Sequence, residues 1–153
     1  MKIYLETTVP NFLFADDAPD KKRVTEVFFE WLKICPHELC VSPVVEYELD
    51  KAPEPKRSKM LRSMAMLQPT DLPITVESRR LADVYVGQGV IPRGEKSDAR
   101  HVAIAVCHAV DVVVSWNLKH LVRPSRIEGI NRVNRAQGYP AIRLQTPAEV
   151  MGL

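Results

Sequence analysis

Cysteine is scarce in this sequence and poorly placed for structural chemistry. Cys35, Cys40 and Cys107 are odd in number, and no two form a CxxC pair. Such spacing gives no basis for a zinc site or a disulfide framework. Each cysteine is expected to act as a small apolar filler in a reducing compartment. Long apolar runs are missing as well: nothing approaches the roughly 20 residues that cross a bilayer. The start Met1-Lys2-Ile3-Tyr4-Leu5 meets an acid at Glu6, too soon for the apolar core of a signal peptide. The expected location is the cytoplasm, without a membrane partner. Internal repeats, low-complexity tracts and long linkers are absent too. So is a Ser or Cys nucleophile beside a base, the arrangement that covalent catalysis needs.

What remains is ordinary globular composition, 46% hydrophobic and 26% charged over 153 residues, which predicts a single domain spanning 1–153. The net charge of +2 hides an asymmetry. Residues 1–50 carry five Lys or Arg against ten Asp or Glu, a balance of −5, and the remainder carries sixteen against nine, a balance of +7. That separation suits a protein holding a cation at one site and a polyanion beside it.

Lys2-Ile3-Tyr4-Leu5 reads as a buried strand, broken by Thr7, Thr8 and Pro10. Val24, Val27, Phe28, Trp31 and Leu32 recur at helical spacing between Asp20 and about Ile34, with Asp20 as the expected N-cap. Glu38 to Ser42 reads as a second strand, and Pro43 opens a helix to about Leu49. A basic amphipathic helix is predicted over about Lys56–Leu67 and another over Val76–Val86. Gly87, Gly89, Pro92 and Gly94 mark a loop, followed by a helix from Asp98 to Ala109. Asp111–Trp116 is strand-like, as is Ala141–Leu144. Thr146-Pro147-Ala148-Glu149 places an N-cap, a proline and an acid in order for a closing helical turn. Strands alternating with helices predict an α/β fold with a central, mostly parallel sheet covered on both faces.

In such sheets ligands bind beyond the carboxyl ends of the strands. Glu6 follows the first predicted strand, Glu46 and Glu48 lie on the helix leaving the second, Asp98 opens the helix into DVVVSW, and Asn117 follows that strand. Four distant segments thus deliver acid or amide oxygens to one edge, the donor type that magnesium and manganese prefer. Such ions orient water and offset charge on a phosphate.

Those residues carry a family resemblance. The opening Lys2-Ile3-Tyr4-Leu5-Glu6-Thr7-Thr8 resembles that of PIN domains, in which a strand ends in an acid followed by Thr or Ser. Ser42-Pro43-Val44-Val45-Glu46-Tyr47-Glu48-Leu49 is similar to their second acidic motif and selects Glu48 over Glu46. Ser97-Asp98-Ala99-Arg100-His101-Val102-Ala103-Ile104-Ala105 is similar to the family's "DALHIAIA" helix. Ser115-Trp116-Asn117-Leu118-Lys119-His120-Leu121 resembles its "TWN" turn, and Pro140 to Glu149 its closing segment. The resemblance spans nearly the whole chain. It implies a three-layer α/β/α PIN-like fold and RNA hydrolysis dependent on magnesium or manganese. The catalytic and metal residues it implies are Glu6, Glu48, Asp98 and Asn117. It further implies a homodimer and, as in VapC-like toxins, an antitoxin partner in a type II toxin–antitoxin pair.

Two departures from the family pattern matter. Glu6 stands where most PIN domains have Asp, which extends the carboxylate by about 1.5 Å, one C–C bond; a subset of the family shares this opening. Asn117 stands at the fourth acidic position and brings an oxygen without charge, so three carboxylates favour one held metal over two. These departures also define an alternative, a catalytically degenerate PIN domain that binds RNA or protein without cutting. A phosphatase with a nucleophilic aspartate is disfavoured, because Thr8 stands where its second acid belongs. Thr7 or Thr8 could orient Glu6 or serve ordinary turn chemistry. His101 could hydrogen-bond into the site from the Asp98 face of the helix or be a partly buried structural histidine. Lys56, Arg57, Lys59 and Arg62, with the run Lys119, Arg123, Arg126, Arg132 and Arg135, are candidates to track an RNA backbone.

Overall fold

The computed structural model describes residues 1–34 and 36–153; Cys35 lies outside them. Its strands are β1 Lys2–Leu5, β2 Glu38–Val41, β3 Thr70–Asp71, β4 Val112–Val114 and β5 Arg143–Gln145. Its helices are α1 Thr8–Phe12, α2 Pro19–Ile34, α3 Pro43–Leu49, α4 Lys56–Met66, α5 Val76–Gly87, α6 Lys96–Cys107, α7 Pro124–Ala136 and α8 Pro147–Met151. The strands form one sheet in the order β3-β2-β1-β4-β5, with every pair parallel. Helices flank it, α5 packing on α6 and α7, and α2 on α1 and α8.

β1 is central because it is apolar on both faces: Ile3, Tyr4 and Leu5 are each fully buried. Tyr4 sits in register with Cys40 on β2 and Val113 on β4. The chain reaches β2 on one side of β1 and β4 on the other, so the strand order reverses at β1, the place where open parallel sheets leave a crevice. Glu6 continues the ladder, its N–H donating to the Val114 carbonyl at 3.1 Å. Two residues beyond Tyr4, it shares that residue's side of the sheet.

Local chemistry sets most boundaries as expected. Ser42 ends β2 and caps α3, its hydroxyl accepting from Val44 N–H, with Pro43 in the first turn. Thr146 and Glu149 form a reciprocal capping box on α8, which Gly152 closes in the left-handed region at φ 81°. Cys40 is buried and Cys107 half-buried, both free, as fillers should be.

Two expectations are corrected, and one strand was not foreseen. Asp20 does not precede α2 but lies in its first turn after Pro19, where its charge meets the positive end of the helix dipole. The segment between α4 and α5 contains β3, two exposed residues that extend the sheet beside β2. The later part of the basic run after Asn117, Arg126, Arg132 and Arg135, lies on α7, whose buried stripe is Ile130, Val133 and Asn134. Within it Arg126 is only 8% exposed and donates to Glu95 at 3.1 Å, which removes it from any surface that tracks RNA.

Thr146→Ala should lower stability by about 1 kcal/mol, which for a domain of this size is a drop of about 2–4 °C in melting temperature. Scanning calorimetry checks this, and an unchanged transition would show that other contacts hold α8.

Candidate metal centre at the carboxyl edge of the sheet

Glu6 is 4% exposed at the end of the central strand, and each of its oxygens has a partner. Oε1 accepts from the Thr8 hydroxyl at 2.7 Å and from Ser115 at 2.5 Å, and Oε2 accepts from Thr8 N–H at 2.9 Å. Ser115 can reach it because β4 lies beside β1, with Leu5 opposite Val114. Thr8 therefore does more than turn the chain. Its hydroxyl also accepts from Trp116 N–H at 2.8 Å, tying the first loop to the one after β4.

Glu48 arrives from α3 and is held by two donors, the Thr7 hydroxyl at 2.8 Å and His101 Nε2. Glu46, one residue from Tyr47 on the same helix, faces solvent. His101 comes from α6 and is fully buried, and its Nδ1 meets the Tyr4 hydroxyl at 2.6 Å. Glu6, Glu48 and His101 can each offer one ligand atom, and these atoms lie within 4.8 Å of one another. This buried acidic cluster could hold a metal ion.

Asp98 lies in the first turn of α6, outside that tightest group but within its electrostatic reach. Burial first, then the charge of Glu6, pushes its carboxyl up to about 6; Glu95 and Glu48 add to the rise and His101 opposes it. Asn117 Nδ2 donates to Asp98 Oδ2 at 3.3 Å, while Asn117 Oδ1 accepts from His120 N–H at 3.0 Å. The amide oxygen of Asn117 is thus engaged by its own loop, and its amino group faces the acid. On the Glu48–His101 pair, burial acts to raise the carboxyl and lower the imidazole. Their mutual hydrogen bond and charges outweigh it, so Glu48 falls below its ordinary range and His101 rises above its own.

The donor chemistry fits a divalent cation. Among the described residues no Lys or Arg forms an ion pair with Glu6, Glu48 or Asp98, so three carboxylates crowd together with one imidazole to offset them. Hard ions take oxygen ligands of this kind. Glu6 and Glu48 belong to the group that could hold such an ion, and Asp98 lies within reach of their charge. Several supporting residues were not singled out from the sequence. Ser115 was visible only as part of the TWN-like turn. Tyr4 looked like another strand residue, and its hydroxyl was the sole sign of a polar task. Glu95, which receives His120 Nδ1 at 2.8 Å as well as Arg126, carried no local signal.

A five-stranded parallel sheet flanked by helices, with acids gathered at the switch point, is a PIN-like fold. It is similar to a chain of VapBC2 from Rickettsia felis bound to a DNA fragment from their promoter, with TM-score 0.54 and 12% identity over 95% of this chain and 98% of that one. It is also similar to a chain of DNA-bound VapBC from Salmonella typhimurium, with TM-score 0.53 and 17% identity over 96% and 98%. No family model matches the sequence, nor does any curated protein. At these identities the likeness is one of fold.

Burial and crowding at Asp98 predict a pH signature in the metal-free protein. A carboxyl whose folded pKa lies above its unfolded value destabilises the fold progressively as pH rises between the two, here from about 4 to about 6. Asp98→Asn removes that penalty. With chelator present it should be more stable than the parent at pH 7.5 by about 2 kcal/mol, below the ceiling of nearly 3 kcal/mol set by about 1.4 kcal/mol for each pH unit between those values. The advantage should vanish by about pH 4, the lower of the two values. Urea titrations at both pH values check it, and equal stability at pH 7.5 would contradict the electrostatic account.

Proposed function

We propose that this chain is a metal-dependent endoribonuclease that hydrolyses RNA phosphodiester bonds, acting as the toxin of a type II toxin–antitoxin pair. The observation that carries the proposal is the gathering of Glu6, Glu48 and Asp98, from β1, α3 and α6, at the carboxyl edge of the sheet without a Lys or Arg partner. A magnesium or manganese ion bound there would supply positive charge to the phosphate under attack and acidify nearby water.

The chain's own residues prepare that chemistry. Thr8 and Ser115 hold both oxygens of the Glu6 carboxylate, and Thr7 and His101 hold Glu48, so neither needs to reorganise when charge develops on a phosphate. A cleft of about 420 Å³ opens beside them, lined by Glu6, Thr7, Thr8, Asn11, Glu48, Lys51 and Lys56. Lys51 and Lys56 are placed to meet an RNA backbone entering the acidic end. Arg62, Arg123, Arg132 and Arg135 are exposed and extend the basic surface, whereas Arg57 is engaged by Glu54 at 2.9 Å.

A VapB-like antitoxin as partner is supported by the similar chains, which come from VapBC structures. A homodimer is supported by the exposed Tyr47 and Ile74, which line one groove with Pro43 and Val44 and so suit a surface covered by another protein. The cytoplasmic location belongs to the same reading; no helix among the described residues is long and apolar enough to cross a membrane. One observation favours the degenerate binding module instead: Asn117 adds no charge, and its oxygen is engaged with His120 N–H.

RNA cleavage by the purified chain separates the two. Magnesium or manganese should support cleavage and chelator should stop it. Asp98→Asn and Glu48→Gln should each lower the rate at least about a hundredfold, equivalent to nearly 3 kcal/mol of transition-state stabilisation. RNA binding without cleavage in either metal favours the binding module, and cleavage by Asp98→Asn at the parent rate would remove this site from the reaction.

A further inference from the structure

The ligands that this centre offers depend on which nitrogen of His101 carries a proton; the inference rests on the metal-site reading above. His101 Nε2 meets Glu48 Oε1 and Nδ1 meets the Tyr4 hydroxyl at 2.6 Å. Tyr4 Oη in turn lies 2.7 Å from Ser42 Oγ, which accepts from Val44 N–H at 3.2 Å. Tyr4, Ser42 and His101 are all fully buried.

A hydroxyl can donate or accept, so the direction of this chain follows from counting protons. Ser42 has a hydroxyl proton to place, and among the described residues its hydrogen-bond partners are Tyr4 Oη and the Val44 N–H, which is itself a donor. Pointing the Ser42 proton at Tyr4 turns the phenol proton onto His101 Nδ1. The neutral ring must then carry its proton on Nε2, where it donates to Glu48. The reverse direction leaves the Ser42 proton buried without an acceptor, the costlier arrangement.

We propose that Tyr4 and His101 are positioning residues: the Ser42–Tyr4 chain fixes His101 as the Nε2–H tautomer, which orients Glu48 and withholds the imidazole lone pair from a bound cation. Without that constraint, two carboxylates and an imidazole within 4.8 Å make a mixed nitrogen and oxygen set suited to zinc. With Nε2 protonated, carboxylate oxygens are left as ligands, the set that favours magnesium and manganese. Selectivity then resides in a hydrogen bond behind the ligands, which sets the tautomer of the ring it touches.

The test pairs nitrogen–proton NMR of the labelled, metal-free chain, at a pH where the ring is neutral, with calorimetric titrations of manganese chloride and zinc chloride. The parent should show His101 protonated on Nε2 and bare on Nδ1. Tyr4→Phe should move the proton toward Nδ1 and raise the ratio of zinc to manganese affinity at least about tenfold, the scale of losses when such partners are removed. His101→Leu should weaken manganese binding about 10–100-fold, while His101→Gln, which keeps an N–H donor for Glu48, should stay within about threefold of the parent. A merely structural role would lower the melting temperatures of Tyr4→Phe and His101→Leu without moving the ratio. If His101→Leu does not fold, Tyr4→Phe, which removes one buried oxygen, carries the test. A parent protonated on Nδ1, or an unchanged ratio in Tyr4→Phe, overturns the proposal. Manganese binding by the parent with that unchanged ratio overturns selectivity alone; a parent that binds neither ion overturns the metal reading with it.

Discussion

Glu6 keeps 4% of its surface at the end of a largely apolar strand, and among the described residues no Lys or Arg forms an ion pair with it. A buried carboxylate in that position is tolerable only when hydrogen-bonded or paired, and much of the surrounding sequence meets that need. Thr8 turns back to donate twice, through its hydroxyl and its N–H. Ser115 donates from the adjacent strand end, which requires β4 beside β1. That neighbour relation in turn requires the chain to cross the sheet in both directions from β1, creating the crevice into which α6 delivers Asp98 and His101. Moving any one of these elements would leave a buried charge with fewer donors.

The same crowding has opposite effects on folding and on binding. Carboxylates drawn together and buried are unfavourable in the empty protein, and the upward shift at Asp98, caused first by burial and then by the charge of Glu6, reports both. A divalent ion reverses the sign, because each repelling charge becomes an attractive one. His101 relieves part of the strain by donating to Glu48, yet it is placed so that both its nitrogens are occupied. The site is therefore partly satisfied by hydrogen bonds while its oxygens stay open to a cation.

The sequence made the architecture legible where apolar periodicity was strong and boundaries carried explicit chemistry. β1, α3 and α8 follow from a buried strand, a Ser-Pro start and a capping box. β3 escaped notice because two exposed residues have no period to detect; it exists only because β2 offers an open edge. α7 escaped because Arg and Asn occupy its buried face, Arg126 against Glu95 and Asn134 beneath Tyr85, so its hydrophobic stripe is thin. At the site, the acids and their convergence on one strand edge could be anticipated, since each follows or caps an element of the same sheet. Thr7, Thr8 and His101 could be named as candidates from their nearness to the acids, but the more distant supporting residues could not. Ser42, Tyr4 and Ser115 act through partners between 38 and 109 residues away, and no local pattern encodes a contact of that range.

The central claim is that Glu6, Glu48 and Asp98 together hold one cation at the carboxyl edge of the sheet. Anomalous diffraction from crystals grown with manganese tests it most directly, because the ion is located independently of any assay. One peak should lie among the three carboxylates, with His101 Nε2 still on Glu48 and outside the ligand sphere. No peak there at saturating manganese, or a peak elsewhere in the chain, would contradict the account.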